Sequence, residues 1–531
     1  MEKAREAAAK ALTEVGVKFV FGVPGGEITD LVEGFRNQGL QFILTHHETT
    51  AAFMAGAVGE LAGVPGVCAA TLGPGATNLV SGVAQAYLDR SPVIAFTGQT
   101  PGWRRVTDTH QVLDLQALFA PITKWHCALE PKRCREVILK AVDVASSERP
   151  GPVYIEVPAD AANEEAEASV PCASAARYIA EACTPEAFLE SARLLQASLR
   201  PVLVVGAAAL RSRCDDALRE FVDLVQLPVL ATPKGKSLFS EDHDCFVGTL
   251  EMLGSAVLFE LLDSSDFVVS VGVDPVELMR RWQPKPGICL DLVPNLDHYY
   301  TSSIELVGPI EKHLSLLSSA VSSSAFGPKW SKSEILAWKR RLYDNIPVSG
   351  AGLYPAQLFS VMNRMLPEDT MMSCDVGAHK FATGQLWQPK RPRSFLVSNG
   401  LSSMGYGLAS AIAAKLVHPK RPSVTVVGDG GLLMYAGELE TAARLGTAVI
   451  VVVCADHTLS LIKMNQERKG YPPCGVEFTS PDWVAVARGM GLGAARAETE
   501  RDLAEALELA LSWQGPFLIE ARIDPAGYRT R

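Results

Sequence analysis

Short apolar, β-branched runs alternate with helix-favouring stretches along most of the chain, and each run stops at glycine or a polar cluster. From Lys18 the order is strand, glycine turn, helix (VKFVFGVPGGEITDLVEGF). Further strands are expected at 41–44, 67–71, 92–97 and 153–157, with an alanine-rich helix over 49–61. A second series follows at 201–205, 228–232, 267–273 and 288–292. The sharpest unit spans 423–465: a buried run at 424–427, a break at Gly428-Asp429-Gly430-Gly431, a helix from Glu438 to Leu445, and a second buried run at 448–453 that ends on Cys454-Ala455-Asp456. That is a βαβ pattern, and the right-handed crossover places its two strands parallel in one sheet. Repeated strand–turn–helix units predict α/β domains built on parallel sheets flanked by helices. Stretches rich in Ala, Glu and Ser (163–182) and in Ser (318–325) read as linkers. The expected boundaries are 1–162, a linker at 163–185, 186–317, a linker at 318–350, and 351–531. The first and third domains look like variations on one theme, without a strict repeat.

Length agrees with this count, since 531 residues exceed what one core organises. Hydrophobic residues at 48% and charged residues at 20% describe a well-cored chain and not a disordered one. The net charge of −10, with no clustered basic stripe, argues against a nucleic-acid partner. Eleven cysteines are scattered without a CxxC pair, which reads as reduced thiols in a reducing compartment. The first residues form an amphipathic acidic and alanine-rich segment, so neither a secretion signal nor a membrane span is expected. A cytoplasmic location is the expectation.

The chemistry concentrates at strand ends. Asp429 and Asp456 both follow buried runs, at the carboxyl edge where open α/β sheets bind ligands. Glycines beside Asp429 let backbone N–H groups approach an anion. Two carboxylates with a glycine cradle suit a diphosphate carried on Mg²⁺, which takes oxygen ligands in near-octahedral geometry. An ordinary turn at Gly428–Gly431 and a helix cap at Asp456 would leave the same pattern. Glu48, in HHETTAAFMAG, stands between a strand and a helix; it reads either as an N-terminal helix residue or as a desolvated acid/base.

The combination narrows these alternatives. HETTAAFMA, GPGATNL, RPGPVYIEVP and GDGG, with Asp456 twenty-seven residues after Asp429, resemble the thiamine diphosphate-dependent enzymes, and within them the acetolactate synthase group. The resemblance runs through all three domains in order. It implies that Glu48 hydrogen-bonds the aminopyrimidine ring, and that Pro74 and Asn78 of GPGATNL lie beside the cofactor. It implies that Asp429, Asp456 and the backbone carbonyl of Thr458 hold Mg²⁺, and that Gly377, His379, Gly430 and Gly431 hold the diphosphate. Met404, in SNGLSSMGYGL, would prop the cofactor into its bent form. His110 and Gln111, in DTHQVLD, are similar to a carboligase pattern near the bound substrate; as bystanders they would make local loop contacts. Family members build each site between two subunits, so a homodimer or homotetramer is implied.

One departure stands out. The family usually has Asn-Asn or Asn-Asp at the second metal position, whereas this chain has Ala455-Asp456, so a supporting amide is lost. The stretch 272–277 looks like the flavin-independent, catabolic acetolactate synthases, and no tightly bound flavin is expected. Asn465 replaces the tryptophan that biosynthetic members use toward 2-oxobutyrate. The implied reaction decarboxylates pyruvate and adds the resulting enamine to a second 2-oxo acid. Alternatives are a 2-oxo acid decarboxylase, a carboligase with an aldehyde or amine acceptor resembling carboxyethylarginine synthase, and a non-catalytic paralogue.

Overall fold

The computed structural model describes residues 2–105, 107–167, 183–296, 300–324, 326–479 and 481–530. Its strands form three six-stranded sheets. The first contains β1 (Phe19–Val23), β2 (Gln41–Leu44), β3 (Gly66–Ala70), β4 (Val93–Gln99), β5 (Trp125–Ala128) and β6 (Pro152–Pro158), in the order β2-β1-β3-β4-β6-β5. The central sheet holds β7 (Pro201–Val205), β8 (Val229–Ala231), β9 (Phe246–Thr249), β10 (Phe267–Val271), β11 (Gly287–Asp291) and β12 (Ile304–Val307), in the order β12-β11-β10-β7-β8-β9. The third holds β13 (Met371–Cys374), β14 (Phe395–Val397), β15 (Ser423–Gly428), β16 (Val449–Ala455), β17 (Gly493–Ala497) and β18 (Phe517–Arg522), in the order β14-β13-β15-β16-β18-β17. Paired strands are parallel throughout. The chain is an α/β protein, as the alternation predicts.

The first and third sheets share one strand order, with each strand shifted by twelve in the numbering. Parallel strands covered by helices on both faces are buried continuously, and β4 and β16 are buried at every residue. Reversal of strand order leaves a crevice at the carboxyl edge. In the first sheet it lies between β1 and β3, and in the third between β13 and β15.

Seven strands go unmarked by the sequence reading: β13, β14, β17 and β18 of the third sheet, and β5, β9 and β12. β5 and β12 are edge strands whose residues are mostly half-exposed, and β9 is an edge strand interrupted by Gly248. Edges need no unbroken apolar run, so periodicity does not flag them. The 318–350 stretch, expected as a linker, is largely helical. Helix Ile310–Ser323 buries Leu317, Ala320 and Val321, and helix Lys332–Asp344 buries Ile335 and Leu342. Its serines satisfy themselves locally, Ser315 and Ser319 donating to the carbonyls of Glu311 and Ser315, so a serine-rich face is compatible with helix. Of the other expected linker, residues 168–182 lie outside the described residues. No helix among the described residues is long and apolar enough to cross a membrane.

One apolar core joins the first and third domains. Helix Glu48–Ala62 sits within it, packed on helices Pro74–Leu88 and Tyr406–Val417, with Phe53 edge-on to Tyr406 at 5.9 Å between centroids. Helix 74–88 approaches closely at Gly82, where a Cβ would lie 2.7 Å from the carbonyl oxygen of Thr49. Gly82→Ala is therefore expected to destabilise the protein by about 1–3 kcal/mol through overpacking. A lower urea midpoint at unchanged m-value would register it.

Candidate active site

The third sheet assembles one half of the site. β15 and β16 pair with Gly428 opposite Cys454, so Asp429 and Asp456 emerge from neighbouring strands at the same edge. Asp429 starts helix Asp429–Tyr435, is buried, and accepts N–H donors from Gly430 and His457, both at 2.9 Å. Asp456 accepts the Ser460 hydroxyl at 2.5 Å and the Thr458 N–H at 3.3 Å. Burial, with the Asp429 charge adding to it, pushes the Asp456 carboxyl up to about 6, against the Ser460 bond, which lowers it. Ser460 thus orients the Asp456 carboxylate next to Ala455.

A cavity of about 130 Å³ opens at this edge. Asp429, Asp456, Thr458, Gly377, His379, Met404, Gly430 and Gly431 all line it, together with Leu459, Leu461 and Tyr528. The structure therefore brings together every residue expected from the third domain. Glycine is required at two of these positions. Gly377 has φ +155°, and a Cβ there would stand 2.7 Å from Cε1 of His379. A Cβ on Gly431 would run into the carboxylate of Asp375.

His379 is the sharpest polar feature. Its ring is buried, burial holds it down to about 4 and hence neutral, and its Nε2 has no hydrogen-bond partner among the described residues. A buried polar atom without a partner carries a desolvation cost that a hydrogen-bonding ligand atom would relieve. Two carboxylates, a nearby backbone carbonyl position, a glycine cradle and this imidazole fit a Mg²⁺-diphosphate. The described residues hold no cluster of three His, Cys, Asp or Glu side chains, so side chains alone would not complete a coordination shell.

Asp375 was not anticipated from sequence. It follows β13, is buried, and accepts the Gly405 N–H at 2.8 Å next to Met404. Burial pushes its carboxyl up to about 6, while the backbone N–H groups of Val376 and 405–407 oppose the rise. The signal lay in its position after a buried strand, but β13 is only four residues long.

The first sheet carries the other half. Glu48 begins helix Glu48–Ala62, which His47 caps by accepting the Thr49 N–H at 3.1 Å. Its carboxylate is only 8% exposed and accepts Asn78 Nδ2 at 3.0 Å. Asn78 and Pro74 both lie on helix Pro74–Leu88, and Gly73 just before it has φ +58°. A Cβ on Gly73 would be 2.9 Å from the Cβ of Gln111, so Gln111 packs on the turn beside Glu48. Gln111 and His110 are both exposed. Two further residues knit this edge. Thr71, after β3, donates to Glu27 at 2.7 Å, and buried Gln99 donates to the carbonyl of Leu113 at 3.2 Å. Glu48 is not among the residues lining the third-domain cavity.

Ser460→Ala should weaken Mg²⁺ binding roughly tenfold, because an outer-shell partner fixes the ligand carboxylate. Titration of Mg²⁺ against the apo-protein, with diphosphate present, measures this.

Comparison with known proteins agrees in all three domains. Family models for the thiamine pyrophosphate enzymes match the N-terminal TPP binding domain over residues 2–118, the central domain over 189–317 and the C-terminal TPP binding domain over 375–521. An acetolactate synthase of Bacillus subtilis is 31% identical over 525 residues, covering 97% of this chain and 92% of the relative. A probable acetolactate synthase large subunit of Methanocaldococcus jannaschii is 31% identical over 99% of this chain and 92% of its own length. A catabolic acetolactate synthase of Raoultella terrigena is 28% identical over 96% and 93%. Family models in all three domains, with relatives at this identity over nearly the full length, establish that the chain belongs to the thiamine pyrophosphate enzymes.

Proposed function

We propose that this protein is a thiamine diphosphate- and Mg²⁺-dependent carboligase that decarboxylates pyruvate and joins the two-carbon fragment to a second 2-oxo acid. The observation that carries this reading is the third-domain cavity, in which two oriented carboxylates, a glycine cradle and the partnerless Nε2 of His379 converge. Full-length similarity to acetolactate synthases selects the carboligase over the alternatives.

Asp429, Asp456 and the Thr458 carbonyl would hold the cation, while Gly430, Gly431, Gly377 and His379 would hold the diphosphate. Met404 would support the bend of the cofactor, and Leu459, Leu461 and Tyr528 would keep that end dry. Glu48 would hydrogen-bond the pyrimidine and hold the proton that moves there; Pro74 and Asn78 would flank the ring, and Asn78 already fixes the carboxylate. Gln111 and His110 would meet the 2-oxo acid from the loop against Gly73. When bound, the cofactor supplies the electron sink for the pair released as carbon dioxide departs.

The flavin-free reading has a physical basis in the central domain. Its strand order is that of a dinucleotide-binding sheet, whose ligand crevice falls between β7 and β10. Glu277 occupies this place. It is buried, its carboxylate accepts N–H donors from Ala207 at 3.0 Å and Asp274 at 2.8 Å, and it also accepts the Thr232 hydroxyl. An acidic side chain bonded to the donors that would meet a phosphate supports the flavin-free reading. Arg280, the cation closest to this stretch in sequence, is paired with Asp263 at 3.1 Å and stacks on Phe259.

A homodimer or homotetramer belongs to the same reading, supported by the absence of Glu48 from the residues that line the third-domain cavity. Exposed Leu433 and Met434 lie beside the metal half, and exposed Leu113 lies near Gln111. These apolar side chains would be covered where Glu48 of one subunit faces the cavity of another. A cytoplasmic location belongs to the same reading, resting on the unpatterned cysteines.

Incubation with pyruvate, Mg²⁺ and thiamine diphosphate, read by NMR, should yield acetolactate. Acetaldehyde without acetolactate would replace this function with simple decarboxylation. For the shared site, Glu48→Gln and Asp429→Ala should each lose roughly 10²-fold or more in kcat. Mixing the two under subunit exchange should recover up to about a quarter of wild-type activity, because half of randomly formed dimers carry one intact site. No recovery despite demonstrated exchange would place both halves in one chain.

A further inference from the structure

The loop 398–405, which carries Met404 to the cavity, is held by residues from all three domains, and Asn399 is where the holds meet. From the first domain, Asp89 accepts the Asn399 N–H at 3.2 Å and the Gly400 N–H at 2.6 Å. Gln85, one turn earlier, accepts the Ser398 hydroxyl at 2.9 Å and donates to Asp89. From the central domain, the carbonyl of Glu277 accepts Asn399 Nδ2 at 2.8 Å. From the third domain, Lys380 Nζ donates to Asn399 Oδ1 at 3.2 Å and to the Ser402 hydroxyl at 3.3 Å. Asp375 then fixes the far end through Gly405. A Cβ on Gly400 would come within 2.7 Å of the Leu88 backbone, so the loop lies flush against the end of helix 74–88.

Nothing about holding a diphosphate requires this arrangement. The carboxylates and glycines of that cradle follow β13, β15 and β16, and none of the bonds to Asn399 or Asp89 comes from them; the one link is Lys380, next to His379 on helix Ala378–Leu386. What the clamp does determine is where Met404 stands. We propose that Asn399 and Asp89 are positioning residues that set the placement of Met404, and through it the cofactor's ring portion, independently of its diphosphate. This inference rests on the thiamine diphosphate reading above. It also gives helix 74–88 two duties, since Asn78 near its start fixes Glu48 while Gln85 near its end and Asp89 just beyond it fix the Met404 loop.

The test compares two ligands on the full-length protein. Calorimetric titrations with Mg²⁺ plus thiamine diphosphate, and with Mg²⁺ plus inorganic pyrophosphate, are run on wild type, Asn399→Ala, Asp89→Asn, Met404→Ala and the Asn399→Ala/Met404→Ala double variant. Asn399 is only partly buried, so its alanine variant retains the fold even if Asp89→Asn does not. Loss of two hydrogen bonds at Asn399 should weaken thiamine diphosphate roughly tenfold while pyrophosphate stays within about twofold. The double variant should bind no more weakly than Met404→Ala alone, because the two residues act through one contact. Equal weakening of both ligands, or losses that multiply in the double variant, would overturn the proposal. Unchanged thiamine diphosphate binding in Asn399→Ala would also overturn it and leave the cofactor reading intact. A wild-type protein that binds pyrophosphate but not thiamine diphosphate would overturn the cofactor reading itself.

Discussion

Two acidic side chains are held side by side in a buried place, and this constraint organises the third domain. Asp429 and Asp456 cannot avoid each other, because β15 and β16 are adjacent, parallel and of matched register. Burial raises the proton affinity of Asp456, and the like charge of Asp429 adds to it. Backbone N–H groups and Ser460 offset part of the cost. The proposed divalent cation would offset the rest.

The first and third sheets solve the same placement problem with the same topology. Each reverses strand order once, and the site residues stand at the same carboxyl edge: Glu48 after β2, Asp429 after β15 and Asp456 after β16. The central sheet also reverses its order once, but Glu277 takes up the donors at that switch point. Its contribution to the site is instead mechanical, because the carbonyl of that same Glu277 anchors Asn399. Taking up those donors and bracing the neighbouring domain are thus two results of one short turn.

Much of the site was legible before the fold. Asp429, Asp456, Gly430, Gly431 and Glu48 stand directly after buried runs or at helix starts, and such positions are local properties of the sequence. Asp375, Gln85 and Asp89 were not legible in this way. Each acts on residues distant in sequence, Asp89 on a loop more than three hundred residues later, and no local pattern marks that contact. The edge strands β5 and β12 were missed for a related reason: an edge strand is defined by its neighbour, and its own polarity resembles that of a loop.

The sequence by itself determined the parallel α/β class, the three-domain count and the residues at the strand ends, because burial periodicity and glycine placement act over a few residues. Only the tertiary structure decided that His379 lines the cavity with its Nε2 unpartnered among the described residues, that Ser460 steadies Asp456 beside Ala455, and that Glu277 takes up the donors at the central switch point. It also decided that Glu48 is not among the residues lining the third-domain cavity. These outcomes depend on which strands become neighbours and on how helices close over them, and that information resides in packing between distant segments.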